Sequence, residues 1–367
     1  MKSNSIPILY YHSVADHKDI NDWSFLSINI KLFVAQIKLL KFLGYKSCTW
    51  DELFNHINGT KQLNKKTIMF HFDDGFLDNW TVVFPIMKKY GFKFSILITP
   101  EFVEKSDKIR SFTSKTFDVE KSKWWGYLNE GEIKEMSSSG LVDFQCHGYS
   151  HTWLESSEEL LDFYDGNKFT PHLKWNLNVS KKPKWLSEYE NMKLPIGYPI
   201  FKYKKSLELN RAFIPNIDFI NECINCNKEN GYQKELLTDI YNKFKKNKNL
   251  GCYESEKESF NRMHKELIST RNYIFELTKK KADYIVFPGG GMSNNVYQIL
   301  KEHNFKLASK GKKLNLHNTN IFQISRLSAF VDFKSGNLIN FITNIPIIYL
   351  QVLRGQGKFF LNKLIKR

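Results

Sequence analysis

Short apolar runs recur along the chain, separated by stretches in which apolar positions fall at helical spacing. Pro7–Tyr11, Thr67–Phe72, Phe94–Ile98, Leu141–Gln145, Asp283–Phe287 and Phe305–Ala308 read as buried strands. Ile30–Gly44 carries apolar residues at Leu32, Phe33, Ile37, Leu40 and Phe42 and stops at a glycine, which predicts a helix. Val82–Tyr90 (closed by Gly91), Asn129–Ser139 (closed by Gly140) and Asn294–His303 read the same way. Alternating strands and helices predict an α/β fold with a mostly parallel sheet or barrel, in which chemistry collects at the carboxyl ends of the strands. His12, Asp73-Asp74 and His147 each follow such an apolar run.

The 131 residues from Thr152 to Ala282 break this rhythm and are too long for a plain connection. Helices are predicted at Phe219–Asn230, Lys234–Lys246 and Glu256–Lys280; the last carries Phe260, Met263, Leu267, Ile274 and Leu277 as core positions. The expected organisation is a barrel from 1–151 and 283–330, a long, mostly helical insertion over 152–282 as a candidate substrate-binding cap, and a basic segment over 331–367. Lys334–Arg367 has no acidic residue and pairs the apolar run Ile345–Leu353 with a basic end. It reads either as a packed helix or as a surface resting on anionic lipid.

Composition narrows the class. With 42% hydrophobic and 25% charged residues over 367 positions, neither a collagen-like nor a wholly disordered chain fits. The net charge of +16 suits a polyanionic or membrane partner, or a lysine-rich solvated surface. Grouped aromatics with basic residues, as in nucleic-acid readers, are not evident, and no specific nucleic acid is expected. Five scattered cysteines do not form a disulfide framework, and Cys223-x-x-Cys226 lacks a second pair to complete a zinc knuckle. No secretory signal or membrane-spanning run is visible, so the expected location is cytoplasmic, with or without peripheral membrane contact.

Two clusters carry chemistry. Asp73 and Asp74 are adjacent carboxylates at a strand end; they repel unless a cation intervenes, and Gly75 permits the turn that follows. One carboxylate binding a metal while its neighbour stays free as a base resolves the repulsion. In His147-Gly148-Tyr149-Ser150-His151 two histidines at i, i+4 meet on one face of a helical turn and can share a metal. One Asp and two His leave positions open for water and substrate, the pattern of a catalytic site.

These residues resemble the polysaccharide deacetylase family, the NodB-homology domain of carbohydrate esterase family four. Phe72-Asp73-Asp74-Gly75 and the His147/His151 pair are similar to its first two motifs, Ile8–Val14 to its opening segment, and Phe287-Pro288-Gly289-Gly290-Gly291 with Leu300–Ala308 to its third motif and the helix and strand after it. The resemblance covers about residues 6–151 and 283–330. It implies a distorted (β/α) barrel with one divalent metal ion, usually zinc, bound by Asp74, His147 and His151, and Asp73 as general base. The activity implied is metal-assisted removal of an N-acetyl group, with the oxyanion held by the metal and a backbone N–H of the loop containing Gly289 and Gly290.

The sequence also departs from the family pattern. Gly148 stands where the family has Ser or Thr, and Phe-Pro-Gly-Gly where it often has Arg-x-Pro-Tyr. The general-acid histidine is not evident; His317 and His12 are the candidates. Arg211 is a candidate for gripping a phosphate or carboxylate of the substrate. Trp124, Trp125, Trp153 and Trp175 are candidates for stacking on sugar rings or for simple core. The expected substrate is an amino sugar in a surface-polysaccharide or glycolipid precursor, lipid- or nucleotide-linked. An O-acetyl esterase or non-sugar amidase on the same barrel, or an inactive binding protein, are the alternatives.

Overall fold

The computed structural model describes residues 4–15, 26–110, 126–310, 314–316, 318–329 and 337–358. Seven strands form one continuous parallel path in the spatial order Leu307–Ser309, Tyr284–Val286, Val142–Cys146, Phe94–Ile98, Thr67–Asp74, Ile8–Tyr11 and Leu327–Ser328, and the short strand Lys46–Ser47 adds to Thr67–Asp74. The sheet curls. The segment between its two edges bridges them: Ile324 N–H donates to the Ala308 carbonyl (2.9 Å) and Asn315 Nδ2 to the Ile6 carbonyl (3.1 Å).

Strand alternation sorts the side chains into two layers. Ile68, Phe70 and Phe72 point out under the helices and share a large core with Leu9, Tyr11, Ile96 and Ile285. Met69 points inward with Ile8, Leu97, Val286 and Leu307. Full burial of each such side chain stabilises the fold by about 1.5–3 kcal/mol. The inward register continues through His71 to Asp73. Trp50, on the helix Trp50–Ile57, stacks on His71 and Tyr284 with ring centroids 4.6 and 5.0 Å away.

The six strands expected from apolar runs are all present, with ends shifted by one or two residues. The Val82–Tyr90 helix begins earlier, with a π-turn at Asn79–Val83 leading into Phe84–Tyr90. The 152–282 segment combines helices with strands that its sequence pattern did not predict. Trp153–Phe163 pairs antiparallel with Pro199–Lys205, and Phe213–Pro215 with Gly251–Tyr253. Trp153–Phe163 is rich in Glu and Leu, which carry no strand preference, and its long-range partner sets its state. The expected helices appear at Ile217–Asn230 and Lys234–Lys246. The third is a run of Glu256–His264, a π-turn at Lys265–Ser269, and Thr270–Thr278. Thr270–Thr278 packs on the strand Val142–Cys146 and the helix Glu130–Ser138, so this end of the segment is built into the barrel wall.

The apolar run near the C-terminus lies in the helix Asn337–Gly355, with Ile348 and Val352 fully buried. Gln36 Nε2 donates to the carbonyls of Asn344 (3.1 Å) and Ala329 (3.0 Å), and Tyr11 Oη donates to Gln36 Oε1 (2.9 Å). Ile348 and Val352 of that run are therefore taken up by packing. Among the described residues no helix is long and apolar enough to cross a membrane.

Candidate active site

Two strands on either side of Phe94–Ile98 deliver the chemistry. Thr67–Asp74 ends in Asp73 and Asp74, both buried. Asp74 adopts φ +70 and Gly75 φ +69. This left-handed pair turns Asp74 away from the direction of Asp73, so the adjacent carboxylates face different partners. A side chain at position 75 would also meet Ile98 Cγ2 at 3.0 Å. Val142–Cys146 runs into His147, whose N–H donates to the Ile98 carbonyl at 3.1 Å. The segment from His147 to His151 is not the helical turn expected from i, i+4 spacing. It is an irregular loop with φ +79 at Gly148 and φ +51 at His151, and this curl brings the two imidazoles together.

Asp74, His147 and His151 offer ligand atoms that all lie within 4.8 Å of one another. Both Nε2 atoms approach the same carboxylate oxygen, Asp74 Oδ1, at 3.2 Å (His147) and 3.3 Å (His151). His147 Nδ1 lies 2.7 Å from the Val286 carbonyl. A carbonyl only accepts, so Nδ1 carries a proton and the Nε2 lone pair of the neutral ring is aimed at Asp74. Asp74 Oδ1 is buried without a hydrogen-bond donor. Three inward-facing electron-pair donors need a positive centre among them. Protonation provides one: burial pushes the His147 pKa down, but the hydrogen bond to Asp74 and the nearby carboxylates outweigh it and raise it. The Asp74 carboxyl is raised by burial and lowered more by His151 and His147, so it lies well below the usual range. A divalent cation fits the same place with the donor set N, N, O, and the His147–carbonyl bond is the outer-shell support such ligands use.

Asp73 faces the other way. Arg326 Nη1 donates to both of its carboxylate oxygens, at 2.7 and 2.8 Å, and the guanidinium lies over the Tyr10 ring, 4.7 Å from its centroid. Burial raises the Asp73 carboxyl, but Arg326, then His147 and His12, lower it below its ordinary value, so it is ionised near neutrality. His12 Nε2 is 3.8 Å from Asp73 Oδ2. Burial lowers the His12 pKa against the raising effect of Asp73 and Asp74. Arg326 is the residue sequence reasoning missed. Its only local signal was one charge in the alternating Ile324-Ser325-Arg326-Leu327, just before a two-residue strand.

The cluster opens into a cavity of about 840 Å³, whose lining includes His12, Asp73, Asp74, His147, His151 and Arg326. Trp153, Tyr203, His172 and Trp175 of the 152–282 segment form one wall. Gly289 and Gly290 line the cavity as well. The Gly290 N–H is engaged by the Phe287 carbonyl (2.9 Å) and Pro288 has no N–H, so Gly289 or Gly291 is left as a backbone donor from this loop. Lys205 Nζ donates to the Gly289 carbonyl at 2.5 Å and steadies the loop. Arg211 does not reach this cavity. It precedes the strand Phe213–Pro215, donates to the backbone carbonyls of Glu254 and Tyr253, and lines a separate cavity of about 540 Å³ with Glu256 and Phe260. His317, Trp124 and Trp125 lie outside the described residues.

The curled parallel sheet thus carries, at its strand ends, a buried Asp/His/His cluster and an ionised Asp held by an arginine. Comparison with known proteins sharpens the class. A family profile described as polysaccharide deacetylase matches residues 60–180. The chain is 24% identical over 204 residues to YxkH of Bacillus subtilis (strain 168), whose name places it provisionally among the polysaccharide deacetylases. It is 23% identical over 209 residues to the poly-beta-1,6-N-acetyl-D-glucosamine N-deacetylase of Escherichia coli (strain K12). These matches take in 56% and 54% of this chain but only 60% and 30% of the relatives' own lengths. In fold, the chain matches a de-N-acetylase from Aggregatibacter actinomycetemcomitans with a TM-score of 0.54 at 16% identity, over 93% of this chain and all of that one. The chain thus resembles polysaccharide deacetylases in sequence over residues 60–180 and shares its fold with a de-N-acetylase.

Proposed function

We propose that this protein is a metal-dependent de-N-acetylase acting on an amino sugar of a polysaccharide or its precursor. The observation that carries the reading is the convergence of Asp74, His147 and His151 beside an ionised, arginine-held Asp73 in one cavity. A divalent cation held by Asp74, His147 and His151, zinc by the donor set, supplies Lewis acidity toward an acetyl carbonyl and its attacking water.

The remaining work falls to the chain's own groups. Asp73 takes the proton of the attacking water as general base, and Arg326 keeps its carboxylate ionised and aimed. The Gly289 N–H, on the cavity's lining, is the proposed backbone donor to the developing oxyanion. The proton that Asp73 has taken from the water goes on to the leaving amine, with neutral His12, whose Nε2 lies 3.8 Å from Asp73 Oδ2, accepting it from Asp73 and passing it on. Trp153 and Tyr203 offer ring faces to a pyranose, with acetate and a free amino sugar as products. The carrier is proposed to be lipid- or nucleotide-linked on the strength of the basic chain, +16 overall.

The test is acetate release by the metal-loaded protein from N-acetylated hexosamine oligomers and, in parallel, from O-acetylated sugars and simple amides. Release from the first alone supports the reading. Release from the O-acetyl or non-sugar substrates alone assigns an esterase or amidase instead, and no release from any substrate by a metal-loaded protein ends it.

A further inference from the structure

The loop that joins the two histidines has a glycine beside its first histidine, and the backbone N–H and carbonyl groups of Tyr149 and Ser150 are all engaged. Tyr149 N–H and Ser150 N–H both donate to one oxygen of Glu266, Oε2, at 2.7 and 3.1 Å, and Ser150 Oγ donates to the other, Oε1. On the carbonyl side, Lys182 Nζ donates to Ser150 O (3.0 Å) and Glu101 N–H donates to Tyr149 O (3.1 Å). Lys182 is itself almost fully buried, paired to Glu101 at 2.5 Å, and Lys265 approaches the same Glu101 at 3.3 Å.

Glu266 lies about 115 residues away in the chain, on the π-turn Lys265–Ser269. A π-turn widens the helix by one residue and re-aims its side chains, and such turns gather at functional sites. Here Leu267 remains in the core while Glu266, only 5% exposed, faces the loop. The glycine at 148 follows from the same geometry. A Cβ there would stand 3.0 Å from Glu266 Oε2, and φ +79 already disfavours any side chain.

We propose that Glu266 is a positioning residue: its carboxylate latches the His147–His151 loop in the shape that lets both imidazoles reach one metal ion. The inference rests on the metal-site reading above. It makes the insertion part of the metal centre, because the latch and its buried Lys182 partner both come from residues 152–282. What the latch supplies is reach: two N–H groups and a hydroxyl have their partner only when a carbonyl-type oxygen sits at the end of a two-methylene side chain.

The test uses the full chain and Zn²⁺ as the probe, with affinity read by competition against a chromogenic chelator and apo-protein stability read by thermal unfolding. Glu266→Leu should bind Zn²⁺ about 10- to 100-fold more weakly, the usual cost of losing outer-shell support. Glu266→Gln keeps the reach and loses the charge; Glu266→Asp keeps the charge and loses the reach. Latching predicts that Gln binds Zn²⁺ more tightly than Asp. The reverse order overturns it in favour of a simple field effect of the carboxylate. Phe219→Ala, in a separate cluster of the insertion, should lower stability without moving Zn²⁺ affinity. If Glu266→Leu fails to fold, the Gln–Asp order decides. Wild-type affinity in Glu266→Leu or in both Gln and Asp refutes the latch alone, whereas a wild-type chain that takes up no Zn²⁺ refutes the metal-site reading and the latch with it.

Discussion

The strand Thr67–Asp74, which forms the floor of the cavity, is buried at every residue and paired on both sides. The strand Trp153–Phe163, which begins one wall, is buried only at Phe163, pairs along one edge, and slips register between Glu155 and Leu160 and between Leu160 and Asp162. The floor is held by a parallel ladder with apolar packing on both faces, the wall by scattered aromatic contacts and charged hydrogen bonds such as Lys182–Glu101. The difference teaches where each kind of precision lies. The groups proposed to react sit on the floor, where a displacement would break several ladder bonds at once; the rings proposed to face the sugar sit on the wall, where adjustment is cheap.

The comparison breaks most sharply at the floor. Asp74→Ala with His147→Ala should abolish stoichiometric metal binding, measured by elemental analysis of the purified protein; metal retained at full stoichiometry would place the ion elsewhere. Asp73→Asn should leave metal content intact and lower kcat by about 10²–10⁴-fold, the range expected for loss of a general base. A steady-state assay showing only a raised KM would move Asp73 out of that role.

Stability changes should be confined to the region touched. Phe219 is fully buried with Phe163, Phe201 and Phe213 in the insertion. Phe219→Ala should cost about 3–5 kcal/mol in denaturant unfolding. If the barrel melts apart from the insertion, two transitions will appear and only one will shift.

Acid should also act on the wall. His172 packs against the rings of Trp153 and Tyr203, and burial pushes its pKa down to about 4. Unfolded, it takes up its proton near the ordinary value of 6.5. Between those values the unfolded chain binds the extra proton, so this group's stabilising contribution is present above about pH 6.5 and is lost as pH falls toward 4. Replacing it with Phe should flatten the acid side of the stability curve by about 2.5 kcal/mol between pH 7 and 4.5. An unchanged slope would show that His172 is wet in solution.

The smallest effect belongs to the sugar-facing ring. Trp153→Ala should raise KM by about 3- to 10-fold with kcat little changed, in line with about 0.5–1.5 kcal/mol for an aromatic stacking contact. A fall in kcat with KM unmoved would assign Trp153 to shaping the reacting groups instead.

How much of this was legible in the residues follows the same division. Pro7–Tyr11, Thr67–Phe72 and Phe94–Ile98 announce themselves because a strand buried on both faces must be apolar throughout, and Asp73, Asp74 and His147 stand out because each interrupts such a run at its end. Those signals are local and needed no partner. The strand state of Trp153–Phe163, the ion pair of Arg326 with Asp73 across about 250 residues, and the grip of Glu266 on Tyr149 and Ser150 had no local signature. A single charged residue looks the same in sequence whether it faces water or a buried backbone N–H. Likewise, His147 and His151 were recognisable as a pair by spacing, but their meeting depends on left-handed backbone at Gly148 and His151, not on a helical turn. Sequence alone determined the sheet, its strand ends and the residue types placed there, because burial acts residue by residue. Tertiary structure decided which charges face each other, because that depends on the closing of long loops onto a finished barrel.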